Sequence, residues 1–383
     1  MKVAYLSSPF FADCDAPLIQ NLSNDVDITY IISVYDSSKK LTLLNIDSIN
    51  KSSGLYQASE FNGLEKLAKY VDISKTYLFY RSLNKKEFYT SKKAVWNLYR
   101  FLVKEKFDLI HITWPLSFHL LPLYLLRKKM ILTVHDPLPH SSNKTWYHET
   151  LRKISFKLLS NFILLNKNQK EEFKSHYHLG RKKNIFDSRL GVYSYLSDEK
   201  IIIPKESNYI LFFGQINSYK GLDVLCESMR IVKKKIPYLQ LVVAGKGNLY
   251  FDIDSYVDDG TILFKNYYIP SAELAGLIKH ARFVVCPYRD ATQSGVIMSA
   301  YSFCTPVIVT NVGGLPEMVG NGLYGPIVPA DNSEALSKTI IDMIETPSII
   351  DNFRTRICED YFEGNKSWEK IASSMFNVYK EII

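Results

Sequence analysis

Short apolar runs punctuate the chain every 25–35 residues, and helix-like segments with polar faces separate them. The runs at 2–8, 27–33, 107–113, 130–136, 162–166, 209–215, 239–245, 261–267, 283–288 and 306–310 are nearly continuous rather than alternating. That is the pattern of parallel strands buried on both faces. Strand–helix alternation predicts doubly wound α/β layers, and ten such strands exceed one ordinary sheet. The expectation is therefore two Rossmann-like domains facing a central cleft, with ligands at the carboxyl ends of the strands. Between them "LGVYSYLSDEKIIIPKESN" has little helical or strand period, which divides the chain into 1–200 and 201–365. The tail, 366–383, carries apolar residues at Trp368, Ile371, Met375, Val378 and Ile382 and predicts an amphipathic helix folding back onto the first domain.

Composition fits this division. With 383 residues, 46% hydrophobic and 22% charged, the chain can bury two cores and is not disordered. The first residues read as a strand, not as a signal peptide. The longest apolar stretch, 116–126, is interrupted by Ser117, His119 and Pro122 and is shorter than the roughly 20 residues that span a bilayer. Five cysteines (Cys14, Cys226, Cys286, Cys304, Cys358) show no CxxC spacing, so a reduced cytoplasmic protein without a zinc site is expected.

Charge adds an asymmetry. Residues 1–195 hold 29 Lys+Arg against 17 Asp+Glu, while the remainder holds 18 against 22. The densest stretch, 80–107, interleaves eight basic with seven aromatic residues, among them Trp96, Tyr99 and Phe101. Such a segment suits an interfacial helix among anionic headgroups, and equally a solvated helix whose aromatics face the core. No nucleic-acid motif accompanies it, so nucleic acid is not an expected partner.

The strand ends carry the candidate chemistry. In "FFGQINSYKGLDVL" a strand ends at Gly214, and Lys220 at a helix start is placed to neutralise a phosphate. In "VVAGKGN", Gly245 and Gly247 permit close approach of a ligand to the backbone. In "RDATQSGVIMSAYSF", Ser294 is a candidate N-cap, and the amides from Ser294 through Gly295 to Val296 would face an anion such as a diphosphate. "TPVIVTNVGGLPEMV" then gives a further strand end and brings Glu317 into the next helix.

Together these segments resemble the family-four retaining glycosyltransferases of the GT-B fold, strongly over roughly 205–383 and more weakly over 1–200, where "FDLIHITWP" and "ILTVHD" look like the family's paired strand ends. The resemblance implies that Lys220 contacts the donor diphosphate. The arginine the family has after the glycine is Gln215 here. The family's two glutamates, eight residues apart, fall on Ala291 and Ser299, so both are absent. The sequence resembles a subgroup with "PYxDATQSGV", which passes the sugar contacts to Asp290, Thr292 and Gln293 and leaves Ser299 to face the ribose. His135 of "TVHD" matches a histidine beside the transferred sugar, with Asp136 and His111 as further candidates. The loop "SSPFFADCDAPLIQNL" lacks the family's Gly-Gly pair and offers Asp13 and Asp15 to an acceptor hydroxyl.

The implied activity is transfer of a hexose from a nucleotide-diphosphate sugar to a saccharide acceptor with retention. No metal and no cofactor beyond the donor are implied. The basic first half suggests a lipid-linked acceptor at the inner face of a membrane, as in surface polysaccharide assembly. Three alternatives stand beside it: a nucleotide-sugar epimerase of the same architecture, a non-catalytic nucleotide-sugar-binding protein, and, lowest, an NAD-dependent enzyme, for which the GxGxxG after the first strand is missing.

Overall fold

A computed structural model describes residues 1–82, 88–138, 146–257 and 260–383. The chain folds as two compact units, Met1–Leu190 with Trp368–Ile383, and Gly191–Ser367.

The first unit is built on an eight-stranded sheet. Its strands are β1 (Lys2–Ser7), β2 (Asp27–Val34), β5 (Gly54–Gln57), β6 (Thr76–Tyr80), β7 (Leu109–Ile112), β8 (Met130–Val134), β9 (Asn161–Leu164) and β10 (Asn184–Asp187). A small antiparallel pair, β3 (Lys40–Leu41) and β4 (Leu44–Asn45), stands apart. The order is β10-β9-β8-β7-β1-β2-β6-β5, with every pairing parallel except β5 with β6. Strands β1, β2, β7, β8 and β9 match the continuous apolar runs in the sequence, whereas the inner strand β6 falls in none of them. Edge strands β5 and β10 escape that pattern because they are only half-buried and need no unbroken apolar run.

The helix Phe88–Lys104 turns Ala94, Val95, Leu98 and Leu102 into the core and leaves Trp96 and Val103 exposed. Residues 83–87 of the basic stretch lie outside the described residues. The tail helix Trp368–Ile382 packs on the helix Ala12–Leu22 through Ile371, Ala372, Met375 and Tyr379. Among the described residues no helix is long and apolar enough to cross a membrane.

The second unit carries β11 (Tyr209–Phe213), β12 (Gln240–Ala244), β13 (Ile262–Lys265), β14 (Val284–Cys286), β15 (Val307–Thr310) and β16 (Ile327–Val328). All are parallel, in the order β13-β12-β11-β14-β15-β16. The helices Leu222–Lys235 and Ser333–Glu345 pack together and bury Leu225, Met229, Leu336 and Ile340 in the core beneath this sheet.

Two expectations are corrected here. The first unit ends at Leu190 instead of 200. The connecting segment belongs to the second unit, because the Tyr193 N–H donates to the Met298 carbonyl and the Ile202 N–H to that of Ala272. The cysteines are not all thiols. Cys304 and Cys358 form a disulfide with Cα atoms 5.5 Å apart, while Cys14, Cys226 and Cys286 are free and buried.

Candidate active site

In the second unit the chemistry gathers at the carboxyl ends of β11 and β14. Beyond β11 the backbone turns at Gly214, whose φ of +104° belongs to the region glycine tolerates. A Cβ built there would stand 3.0 Å from Lys220 Nζ and 3.6 Å from Val296 Cγ2. Gly214, the Lys220 ammonium and the first turn of the helix Gly295–Tyr301 therefore border one another. Lys220 is 8% exposed. Its ammonium lies 5.3 Å from the Tyr288 ring centroid, and no carboxylate among the described residues pairs with it. Burial pushes its pKa below the usual lysine value, with Cys286 opposing weakly. A dry ammonium without a counter-charge is a standing demand for an anion.

The Lys220 turn is fixed from beneath by a residue the sequence reading passed over. Arg289, three residues past β14, donates from its backbone N–H to the Tyr219 carbonyl (2.7 Å) and from Nη1 to the Ser218 carbonyl (2.7 Å). Its guanidinium also grips Asp223 with two bonds (2.9 and 2.8 Å) and Asp331 with Nε (2.6 Å). The Tyr250 hydroxyl completes the cluster by donating to Asp223 Oδ1 at 2.8 Å. Gly221 makes the docking possible, since a Cβ there would lie 2.0 Å from the Pro287 carbonyl oxygen.

The other candidates fall into place with qualifications. Gly245 and Gly247 owe their smallness to the neighbouring strand end: a Cβ on them would meet the carbonyl oxygens of Gly214 and Ile216 at 1.9 and 2.3 Å. The close approach read from the sequence is thus backbone against backbone, and the Gly247 N–H is taken by Asn266 Oδ1 (3.1 Å). Ser294 is the N-cap residue by position, yet its side chain caps nothing: Oγ faces the Tyr288 hydroxyl (3.5 Å), and its N–H donates to Met318 Sδ (3.3 Å). The amides of Gly295 and Val296 open the helix, where intrahelical partners are lacking. Tyr193, also unremarked in sequence, packs on Gly295, its hydroxyl 3.0 Å from where a Cβ would be. Thr292 and Ser299 are buried, Asp290, Gln293 and Glu317 half-buried, and Gln215 exposed. Gln293 Nε2 is buried without a hydrogen-bond partner.

In the first unit His135 follows β8, and its ring stacks on Phe11 (centroids 3.9 Å apart, 13° between planes). Its Nε2 is buried and unpartnered. Burial lowers its pKa to about 4, with Asp136 opposing, so the imidazole is neutral near pH 7. Phe11 is the N-cap residue of the helix Ala12–Leu22, whose first turn carries Asp13; its Oδ2 accepts from Thr42 (3.1 Å) while Oδ1 is buried and unpaired. Burial raises the Asp13 pKa to about 7, against the Thr42 bond.

Two acceptor candidates are corrected. Asp15 is interior, with Oδ1 accepting from the Tyr5 hydroxyl (2.8 Å) and Oδ2 from Ser7, whose Oγ accepts from Thr113 (2.9 Å). His111 is fully buried, and both ring nitrogens are engaged, Nδ1 with Tyr379 (2.5 Å) and Nε2 with Thr133 (2.6 Å). It joins the tail helix to the sheet and has no nitrogen left for a ligand. Among the described residues no group of three or more His, Cys, Asp or Glu side chains is placed to hold a metal.

Residues 207–346 match the family described as glycosyl transferases group 1, and residues 63–184 match glycosyltransferase family 4. The chain is 25% identical over 204 residues to an uncharacterized glycosyltransferase of Methanocaldococcus jannaschii, covering 52% of this chain and 56% of that one. It is 26% identical over 192 residues to a D-inositol 3-phosphate glycosyltransferase of Paenarthrobacter aurescens, covering 47% and 46%. The matches thus span about half the length of these curated relatives. The fold is shared over all of both chains with an Anabaena HepE crystal structure in complex with UDP, at TM-score 0.67 and 13% identity.

Proposed function

We propose, for a chain with the GT-B fold, that it moves a hexose from a nucleotide-diphosphate sugar to a saccharide acceptor with retention of configuration. One observation carries this reading: the buried, unpaired Lys220 ammonium held against Gly214 and the first turn of the helix Gly295–Tyr301. A diphosphate would supply its missing counter-charge and accept from the Gly295 and Val296 amides. Charge growing on the leaving group would then be met by a preorganised cation and dipoles. Ala291 and Ser299 leave no glutamate at those two positions, so orientation and charge stabilisation do the work and the leaving diphosphate takes the acceptor's proton. In this reading His135 offers its neutral Nε2 to a sugar hydroxyl, Asp290, Thr292 and Gln293 contact the sugar, and no metal takes part.

We place the acceptor on a lipid carrier at a membrane surface. The exposed face of the helix Phe88–Lys104, with Trp96 and Val103 among Lys92, Lys93, Arg100 and Lys104, supports it. A thermal-shift screen across UDP-, GDP-, ADP- and dTDP-sugars, with and without EDTA, tests the donor and the metal together. One class is expected to stabilise the protein, unchanged by EDTA. If none does, the reading falls.

A further inference from the structure

The first unit holds a second buried cation that the proposed chemistry does not use. Arg81 directly follows β6, and its N–H donates to the Val34 carbonyl at the end of β2 (3.0 Å). It therefore stands on the same carboxyl edge of the sheet as His135, the edge at which open parallel sheets bind ligands. Arg81 is 3% exposed. Its five N–H donors find little: Nη1 reaches Ser117 Oγ at 3.4 Å, Nη2 reaches Ser33 Oγ at 3.5 Å, and Nε is buried with no partner. No carboxylate among the described residues pairs with it.

The surroundings are aromatic, with the guanidinium 4.6 Å from the Tyr35 ring and 5.5 Å from that of Phe79. Ser117 is also the N-cap of the 3-10 helix Phe118–Lys129, yet no N–H of that helix bonds to its side chain. A helix start adds positive potential beside a cation that already lacks an anion. Burial lowers the guanidinium's pKa to about 10, opposed weakly by Tyr147. A structural arginine is ordinarily saturated by carboxylates or carbonyls, and this one is not.

We propose that Arg81 is an oxyanion receptor, which takes a phosphate or carboxylate borne by the acceptor. The fork of Nε and Nη2 would bind two oxygens side by side, replacing the long serine contacts. That the anion belongs to the acceptor rests on the transferase reading; the anion site itself rests on Arg81.

The test silences the second unit's anion site first. The full chain carrying Lys220→Ala is titrated with methyl phosphate and, separately, with glucuronate, and melting temperature is read. At least one is expected to raise it, methyl phosphate marking a phosphoryl source and glucuronate a sugar acid. The rise should vanish in Lys220→Ala/Arg81→Met. In Lys220→Ala/Arg81→Lys, which keeps the charge and loses the fork, the Kd should weaken about tenfold. Neither anion acting on Lys220→Ala, or a rise surviving Arg81→Met, overturns the proposal. Nucleotide-sugar titration of Arg81→Met alone separates the two ideas: a shift equal to the parent's leaves the donor site intact. No shift in either would sink the transferase reading while the anion data still judge Arg81.

Discussion

Tyr80-Arg81 and Tyr288-Arg289 are both tyrosine–arginine pairs at the carboxyl end of a strand, β6 and β14, yet the fold treats the two arginines oppositely. Arg289 is saturated by Asp223, Asp331 and two carbonyls, and its hydrogen bonds to Asp223 raise its pKa further. Arg81 is more deeply buried, has two long serine contacts and loses proton affinity to burial. The first is a strut that holds the Lys220 turn. The second, like Lys220 itself, is a charge kept waiting. A cation's role at a strand end is thus decided by whether distant segments bring carboxylates to it.

The largest effect should come from Lys220→Ala. A donor at a hundredfold excess over its Kd stabilises the parent by about 2.7 kcal/mol, and that gain should disappear in a calorimetric titration. A full gain would place the diphosphate elsewhere and leave Lys220 a mere buried lysine. Next come the two arginines, compared by the same change. Arg289→Met leaves Asp223 and Asp331 unpaired and frees the 218–223 segment, so the second unit should lose about 2 kcal/mol and the donor KM should rise. Arg81→Met removes an uncompensated buried charge, so the first unit should stay within about 0.5 kcal/mol of the parent or gain stability. Far-ultraviolet circular dichroism during urea unfolding measures both. Equal losses would erase the distinction between strut and receptor.

Much of the frame was legible because parallel strands buried on both faces leave unbroken apolar runs. The runs at 209–215 and 283–288 point directly to β11 and β14. Lys220 was legible because a lysine after a strand-ending glycine has a short-range signature. Arg289 lay inside the "PYRDATQSG" segment but was not singled out, since its carboxylates are 66 and 42 residues away. His111 lies within β7 and His135 directly follows the neighbouring strand β8, so both sit in apolar runs. What separates them is saturation: Tyr379, 268 residues away, fills Nδ1 of His111 and Thr133 fills its Nε2, the nitrogen that His135 leaves open. Spacing within a motif reports the backbone turn; saturation of a polar atom is a tertiary fact.

The subtlest comparison lies inside the first unit, between its buried histidines and its buried acids. Burial lowers His111 to about 3 and His135 to about 4, and raises Asp13 and Asp15 to about 7. Between about pH 4.5 and 6 the unfolded histidines bind protons that the folded ones refuse, so their contribution to stability grows as pH rises. The acids act the other way. Folded, they keep protons that the unfolded chain has released, so their contribution shrinks as pH rises through the same window. Each group is worth at most about 1.4 kcal/mol per pH unit, and two oppose two, so the first unit's stability should be nearly flat there. Asp15→Asn removes one opposing slope, and stability should then climb with pH by about that amount per unit. All four tryptophans, Trp96, Trp114, Trp146 and Trp368, lie in this unit, so their fluorescence during urea unfolding follows it alone. A parent already steep across the window, or an Asp15→Asn curve parallel to the parent's, would show that the acids are not held protonated.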